Sequence, residues 1–202
     1  MKYYYHHIII MISLLLCNIS FANAQQDPTD SLSFYNQVKT YVNPVLPGDH
    51  PDPTLLKVGN NFYYCGSSFH FTPYLPIYYS KDLVHWQIIS RVVSPASSVG
   101  WVTDRPSAGI WQGALTYFYG SYWVYFSANG QWFSKSSSPK GPWSKPVRVK
   151  TNPQTGPLGY DNSIFVDDDG KPYMLIKNGQ RINRIQSIGR NGQLTDTVIN
   201  LD

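Results

Sequence analysis

The 202-residue chain contains no glutamate; all 12 acidic residues are aspartate. Any carboxylate chemistry within these residues is therefore aspartate chemistry. Cysteine is almost absent too, with only Cys17 and Cys65. Cys17 falls in an N-terminal leader, so processing leaves Cys65 alone. An internal disulfide is then excluded, and stability must come from core packing. Cys65 closes the aromatic run Phe62-Tyr63-Tyr64-Cys65 and reads as a small buried residue rather than a nucleophile. Charged residues make up only 14%, and no Lys/Arg cluster exceeds two or three residues. The formal charge of +4 drops by one when Lys2 leaves with the leader. The pI of about 8.9 therefore does not point to nucleic acid. No long segment shows 3.6-residue periodicity, which argues against helices.

What is present begins with the leader. Lys2, the apolar stretch Ile8 to Leu16 and the small-x-small pattern Ala22-Asn23-Ala24 predict a signal peptide over residues 1–24. The apolar stretch is too short for a comfortable membrane span. Leu14-Leu15-Leu16-Cys17 resembles a lipoprotein box, but Leu16 is not small, which favours simple export. The mature protein is expected to be secreted or periplasmic, with no membrane attachment after signal cleavage. Residues 25–42 are polar and aperiodic and are expected to form a flexible N-terminal arm. Residues 43–202 carry an internal repeat.

The repeat is clearest in two segments. Asp52-Pro53-Thr54-Leu55-Leu56-Lys57-Val58-Gly59-Asn60 precedes Phe62-Tyr63-Tyr64. Asp161-Asn162-Ser163-Ile164-Phe165-Val166-Asp167-Asp168-Asp169-Gly170 precedes Pro172-Tyr173-Met174-Leu175. Each is an acid, a short apolar strand, a tight turn and a second strand. A further unit starts near Ile110, with its turn at Tyr119-Gly120. Ser80-Lys81 ahead of Trp86 is echoed by Ser134-Lys135 ahead of Trp143. The strands are short, aromatic and β-branched, and aromatic residues reach 15%. Four short strands per 50–60 residues fits a blade of an all-β propeller. The competing architecture is a β-sandwich with accidental turn spacing.

In a propeller the innermost strands line a central channel. Asp52 and Asp161 precede such strands at matched positions and are expected to meet at one channel mouth. Paired carboxylates are the usual apparatus for hydrolysing glycosidic bonds. The matching position in the middle unit is Gln112, beside Trp111, whose ring suits stacking on a sugar face. The competing readings are turn chemistry for the two acids and core packing for Trp111. His70, between Phe69 and Phe71, suits a pocket wall or a sugar hydrogen bond. His85, beside Trp86, reads as structural. His50, His70 and His85 lack metal-ligand spacing.

Three stretches carry a family resemblance. They are Asn43-Pro44-Val45-Leu46-Pro47-Gly48-Asp49-His50-Pro51-Asp52-Pro53-Thr54, Ile77-Tyr78-Tyr79-Ser80-Lys81-Asp82-Leu83-Val84-His85-Trp86, and Tyr160 to Gly170. With Gly109-Ile110-Trp111 they resemble the catalytic domain of glycoside hydrolase family 43. The resemblance implies a five-bladed β-propeller, of which this chain holds about three blades. It also implies inverting hydrolysis of arabinose- or xylose-containing plant polysaccharides or oligosaccharides. Asp52 matches the family's general base, and Asp161 the acid that orients the proton donor and tunes its pKa. Trp111 matches the Trp of the sugar pocket, with His50, Phe69 and His70 as further substrate contacts. The family Trp is usually followed by Ala-Pro, whereas Gln112-Gly113 follow here. No cofactor or metal is required, though a structural calcium in the channel is compatible with the resemblance. The family's proton donor is a Glu on the fourth inner strand, which the repeat spacing puts past Asp202. The chain is accordingly expected to be an N-terminal part that is inactive by itself. The alternatives are a non-catalytic glycan-binding propeller and a purely structural one.

Overall fold

The computed structural model describes residues 40–69, 74–93, 109–151, 156–178 and 181–201, and among these there is no helix. The compact unit that carries all the strands begins at Pro44. Its 12 strands form three four-stranded sheets, each an antiparallel meander in chain order. Blade 1 comprises β1 (Thr54–Val58), β2 (Asn61–Cys65), β3 (Tyr74–Ser80) and β4 (Gln87–Val93). Blade 2 comprises β5 (Trp111–Phe118), β6 (Ser121–Ser127), β7 (Gln131–Ser136) and β8 (Val147–Arg148). Blade 3 comprises β9 (Ser163–Val166), β10 (Pro172–Asn178), β11 (Arg181–Ile188) and β12 (Leu194–Asn200).

Local chemistry sets the hairpins. Phe118 pairs with Ser121, so Tyr119-Gly120 is a two-residue loop. Both loop residues are left-handed, with φ of 49° and 74°. That matches the twist of the flanking strands, and glycine takes the second position without a Cβ penalty.

Packing between the blades follows the two-residue period of the strands. The middle blade is buried on both faces. Tyr122, Val124 and Phe126 of β6 pack with Cys65, Leu75, Ile77 and Val93 of blade 1. Trp123 and Tyr125, alternating with them, pack with Met174, Ile176 and Ile188 of blade 3. Trp123 stacks on Phe118 at 4.8 Å and lies within 5.5 Å of Phe133, centroid to centroid. Sheets stacked face to face in series, with their first strands converging, form a propeller sector and not a two-sheet sandwich. Burial pushes the Cys65 thiol up to about 12, so at neutral pH it behaves as the apolar core residue expected from the sequence.

The motif ending at His85 and Trp86 is a locked turn. Asp82 Oδ1 accepts from the Val84 and His85 amides at 2.9 and 2.8 Å, and Oδ2 lies 2.6 Å from His85 Nδ1. Trp86 Nε1 donates to Leu83 O at 2.9 Å. Its echo, Trp143, works differently: Nε1 reaches Ser90 Oγ of blade 1 at 3.1 Å and ties two blades together.

Candidate active site

The first strands of all three blades converge on one cavity of about 510 Å³, lined by Asp52, Thr54, Gln112, Leu115, Asp161 and Ile164 among others. The two acids singled out by the repeat thus share a cavity with the intervening Gln112. The repeat equivalence extends to the backbone. Asp52, Gln112 and Asp161 are all left-handed, with φ of 53°, 65° and 57°. Non-glycine residues seldom adopt this conformation, and Asp tolerates it better than Gln. Such strain persists where the surroundings over-determine it.

Each acid has a defined partner. Ser67 Oγ donates to Asp52 Oδ2 at 2.5 Å. Lys177 Nζ donates to Asp161 Oδ2 at 2.7 Å, in a pair with side-chain exposures of 21% and 44%. The Asp161 carboxylate raises the Lys177 ammonium above its ordinary value through that hydrogen bond. The same ammonium lies 4.9 Å from the centroid of the Tyr160 ring, a cation–π geometry.

Between the acids runs a buried polar network. Gln112 Nε2 donates to Asn162 O, and Gln112 Oε1 accepts from Asn162 N at 3.3 Å. The side-chain amide therefore pairs with the backbone of Asn162 as a peptide group would. Ser127 Oγ and Gln131 Nε2 also reach Gln112 Oε1, at 3.2 and 3.4 Å. Asn162, 1% exposed, donates to Leu158 O at 2.8 Å and accepts from Lys177 N at 3.1 Å.

Other predicted contacts are distributed differently. His50 and Phe69 line a second cavity of about 370 Å³ with Asp49, Tyr64, Tyr78 and Arg91. They are not brought to the cavity of the two acids. Pro51 O accepts from Ser67 N at 3.1 Å, which pins the chain between His50 and Asp52, and Ser67 itself lines this second cavity. His50 is held by edge contacts to Tyr64 and Tyr78, with centroids 6.0 and 5.4 Å apart. Trp111 is exposed, with its ring edge-on to Phe69 and Tyr160 at 6.2 and 5.6 Å. It borders the Asp52–Asp161 cavity through its neighbour Gln112 but is not among the lining residues. His70 lies outside the described residues. Among the described residues no three His, Cys or acidic side chains form a metal-ligand set.

The Gln112-Gly113 departure has a steric account. The register shifts between Trp111 and Ala114, so these two residues form a bulge. A Cβ on Gly113 would lie 2.9 Å from Gly66 O and 3.0 Å from Cys65 Sγ.

The sequence profile of glycosyl hydrolases family 43 matches residues 41–196. The chain belongs to this family. It is 35% identical over 147 residues to a xylan 1,3-beta-xylosidase of a Vibrio species, covering 67% of this chain and 26% of that protein. It is 33% identical over 181 residues to a non-reducing end alpha-L-arabinofuranosidase of Bacteroides ovatus, covering 86% and 30%. Among solved structures it resembles a family 43 protein of Bacillus licheniformis at a TM-score of 0.64 and 33% identity, covering 79% of this chain and 33% of that one. The chain thus spans about a quarter of the first-named relative and a third of the solved structure.

Ser67, Gln131, Asn162 and Lys177 are site residues that the sequence does not single out. Asn162 alone carries a local signal, its place directly after Asp161 in the repeat. The others meet partners across 15 to 28 residues of chain.

Proposed function

We propose that the whole protein carrying this chain is an exported, inverting glycoside hydrolase that cleaves arabinofuranosyl or xylosyl linkages in plant polysaccharides or oligosaccharides. The observation that carries this reading is the shared cavity of Asp52 and Asp161, at equivalent left-handed positions of a family 43 propeller. Asp52 is the general base. Its carboxylate, held by a hydrogen bond from Ser67, takes a proton from water as that water attacks the anomeric carbon. Inverting glycosidases seat this water between base and acid, which requires about 6.5–9.5 Å between the two carboxyl groups. Asp161 orients the proton donor and favours its protonated form by like-charge repulsion. The donor protonates the leaving oxygen; it is not a Glu of this chain, which has none.

The exposed Trp111 beside the cavity also suits a second reading, a propeller that binds glycans without cleaving them. One experiment separates the two. Chromogenic arabinosides and xylosides are offered to the whole protein and to Asp52→Asn, with the first product followed by proton NMR. Hydrolysis with inversion, reduced about 10²–10⁴-fold in the variant, is expected. Binding without turnover supports the second reading, and unchanged turnover in a folded Asp52→Asn removes Asp52 from the chemistry.

A further inference from the structure

Ser67 is 9% exposed and sits where blades 1 and 2 meet. Three hydrogen bonds converge on it. Its amide donates to Pro51 O at 3.1 Å, one residue before Asp52. Its Oγ accepts from Gln112 N at 2.7 Å and donates to Asp52 Oδ2 at 2.5 Å. The directions are forced. A backbone N–H can only donate, so the hydroxyl accepts from Gln112 and its single proton is left for the carboxylate. Gln112 then continues the chain of bonds into blade 3, pairing through its side-chain amide with both backbone groups of Asn162. Asn162 is the residue next to Asp161.

We propose that Ser67 is a positioning residue for Asp52, the near end of a buried Ser67–Gln112–Asn162 brace that fixes the two acids relative to each other. The inference rests on the hydrolase reading for its kinetic consequence but not for its geometry. A free Asp side chain at an exposed strand entry samples several rotamers. A hydroxyl anchored on its acceptor side selects one of them. Water attack needs that selection, because small displacements of a reacting group carry large rate penalties. The left-handed backbone at Asp52 and Gln112 is consistent with this. Both residues hold a strained conformation that the brace over-determines.

The test uses the whole protein. Ser67→Ala and Ser67→Cys are each expected to lower kcat about tenfold to a hundredfold with KM within about threefold. Ser67→Thr, which keeps the hydroxyl, should stay within about threefold of wild type. Asp52→Asn combined with Ser67→Ala should be no slower than Asp52→Asn alone, since Ser67 acts through Asp52. Wild-type kcat in folded Ser67→Ala and Ser67→Cys, or a fully additive loss in the double variant, overturns the proposal. A crystal structure of Ser67→Ala or Ser67→Cys, whichever folds, gives a readout independent of activity. A displaced or multiply oriented Asp52 carboxylate supports the brace, and an unmoved one overturns it. Absent turnover in the wild type, with Asp52 displaced in the variant, would sink the hydrolase reading while leaving the brace intact.

Discussion

The Lys177 ammonium holds the Asp161 carboxylate at 2.7 Å from the adjoining strand β10. Asp161 therefore enters the site as half of an ion pair. Lys177 pairs with it, and Asp52 lines the same cavity. Tyr160 touches the ammonium through its ring. A compensated carboxylate repels a neighbouring acid less than a bare one.

A sign follows for the pH–rate profile of the whole protein. Replacing Lys177 with Met removes the compensating charge, so the proton donor should ionise less readily. The alkaline limb of kcat/KM should move up by a few tenths to about one pH unit, solvent screening limiting the size. Asp161→Asn should move that limb down. Profiles taken on substrates with poor leaving groups decide it. A limb that moves down in Lys177→Met would show that Lys177 supports the donor by another route.

Most of the architecture was legible because its signals are local. Tyr119-Gly120 marks a hairpin within four residues, and the unbroken apolar run Tyr122 to Phe126 marks a strand. The equivalence of Asp52 and Asp161 was legible for the same reason, as a fixed offset from a turn. What escaped is non-local. Ser67 meets Gln112 across 45 residues and Gln112 meets Asn162 across 50, and neither pairing leaves a periodic trace. His50, two residues before Asp52, lines a second cavity together with Ser67, the residue that holds the Asp52 carboxylate.

The turn at Asp82 supplies a stability prediction with a pH window. Burial pushes the Asp82 carboxyl up, but hydrogen bonds from the His85 side chain, the His85 and Val84 amides and Ser80 outweigh it and hold the group well below the usual carboxylate range. A depressed folded pKa gives stability that is present above the unfolded value of about 3.9 and lost as pH falls through the folded one. Asp82→Ala should therefore lower the melting temperature near neutral pH, by the equivalent of about 1 kcal/mol for a lost cap. The gap between wild type and variant should close as pH drops below about 4. A gap that is constant from pH 7 to 3 would assign the effect to packing.

Gly113 offers a steric test of blade contact. A methyl group there would sit 2.9 Å from Gly66 O and 3.0 Å from Cys65 Sγ, closer than either atom allows. One neighbour is backbone and the other a fully buried side chain, so neither can swing away. Gly113→Ala should cost about 1–3 kcal/mol, as overpacking does, and lower the melting temperature by roughly 2–10 °C. An unchanged melt would mean that β5 can slide outward from blade 1. Gln112 would then shift with it, and turnover should suffer even where stability does not.

The last expectation concerns residues 25–202 expressed by themselves. They should not hydrolyse glycosides, because the proposed base and orienting acid come without a glutamate to protonate the leaving oxygen. Loss of general acid catalysis costs about 10²–10⁴-fold. They should also self-associate. The inter-blade cores bury one face of blade 1 and one face of blade 3. Leu55 and Ile88 of blade 1 stay 57% and 46% exposed, and Phe165 and Ile199 of blade 3 stay 48% and 50% exposed. Apolar sheet faces of this kind are association sites. With Cys65 buried and unpaired, no disulfide offsets the exposed area. Size-exclusion chromatography, a thermal melt and a chromogenic assay on the purified chain test both halves. A monodisperse monomer with a cooperative melt would show that the outer faces are tolerated in water. Hydrolysis by that monomer would show that an aspartate does the work of the missing glutamate. Asp49, in the cavity beside the site, would be the first to replace.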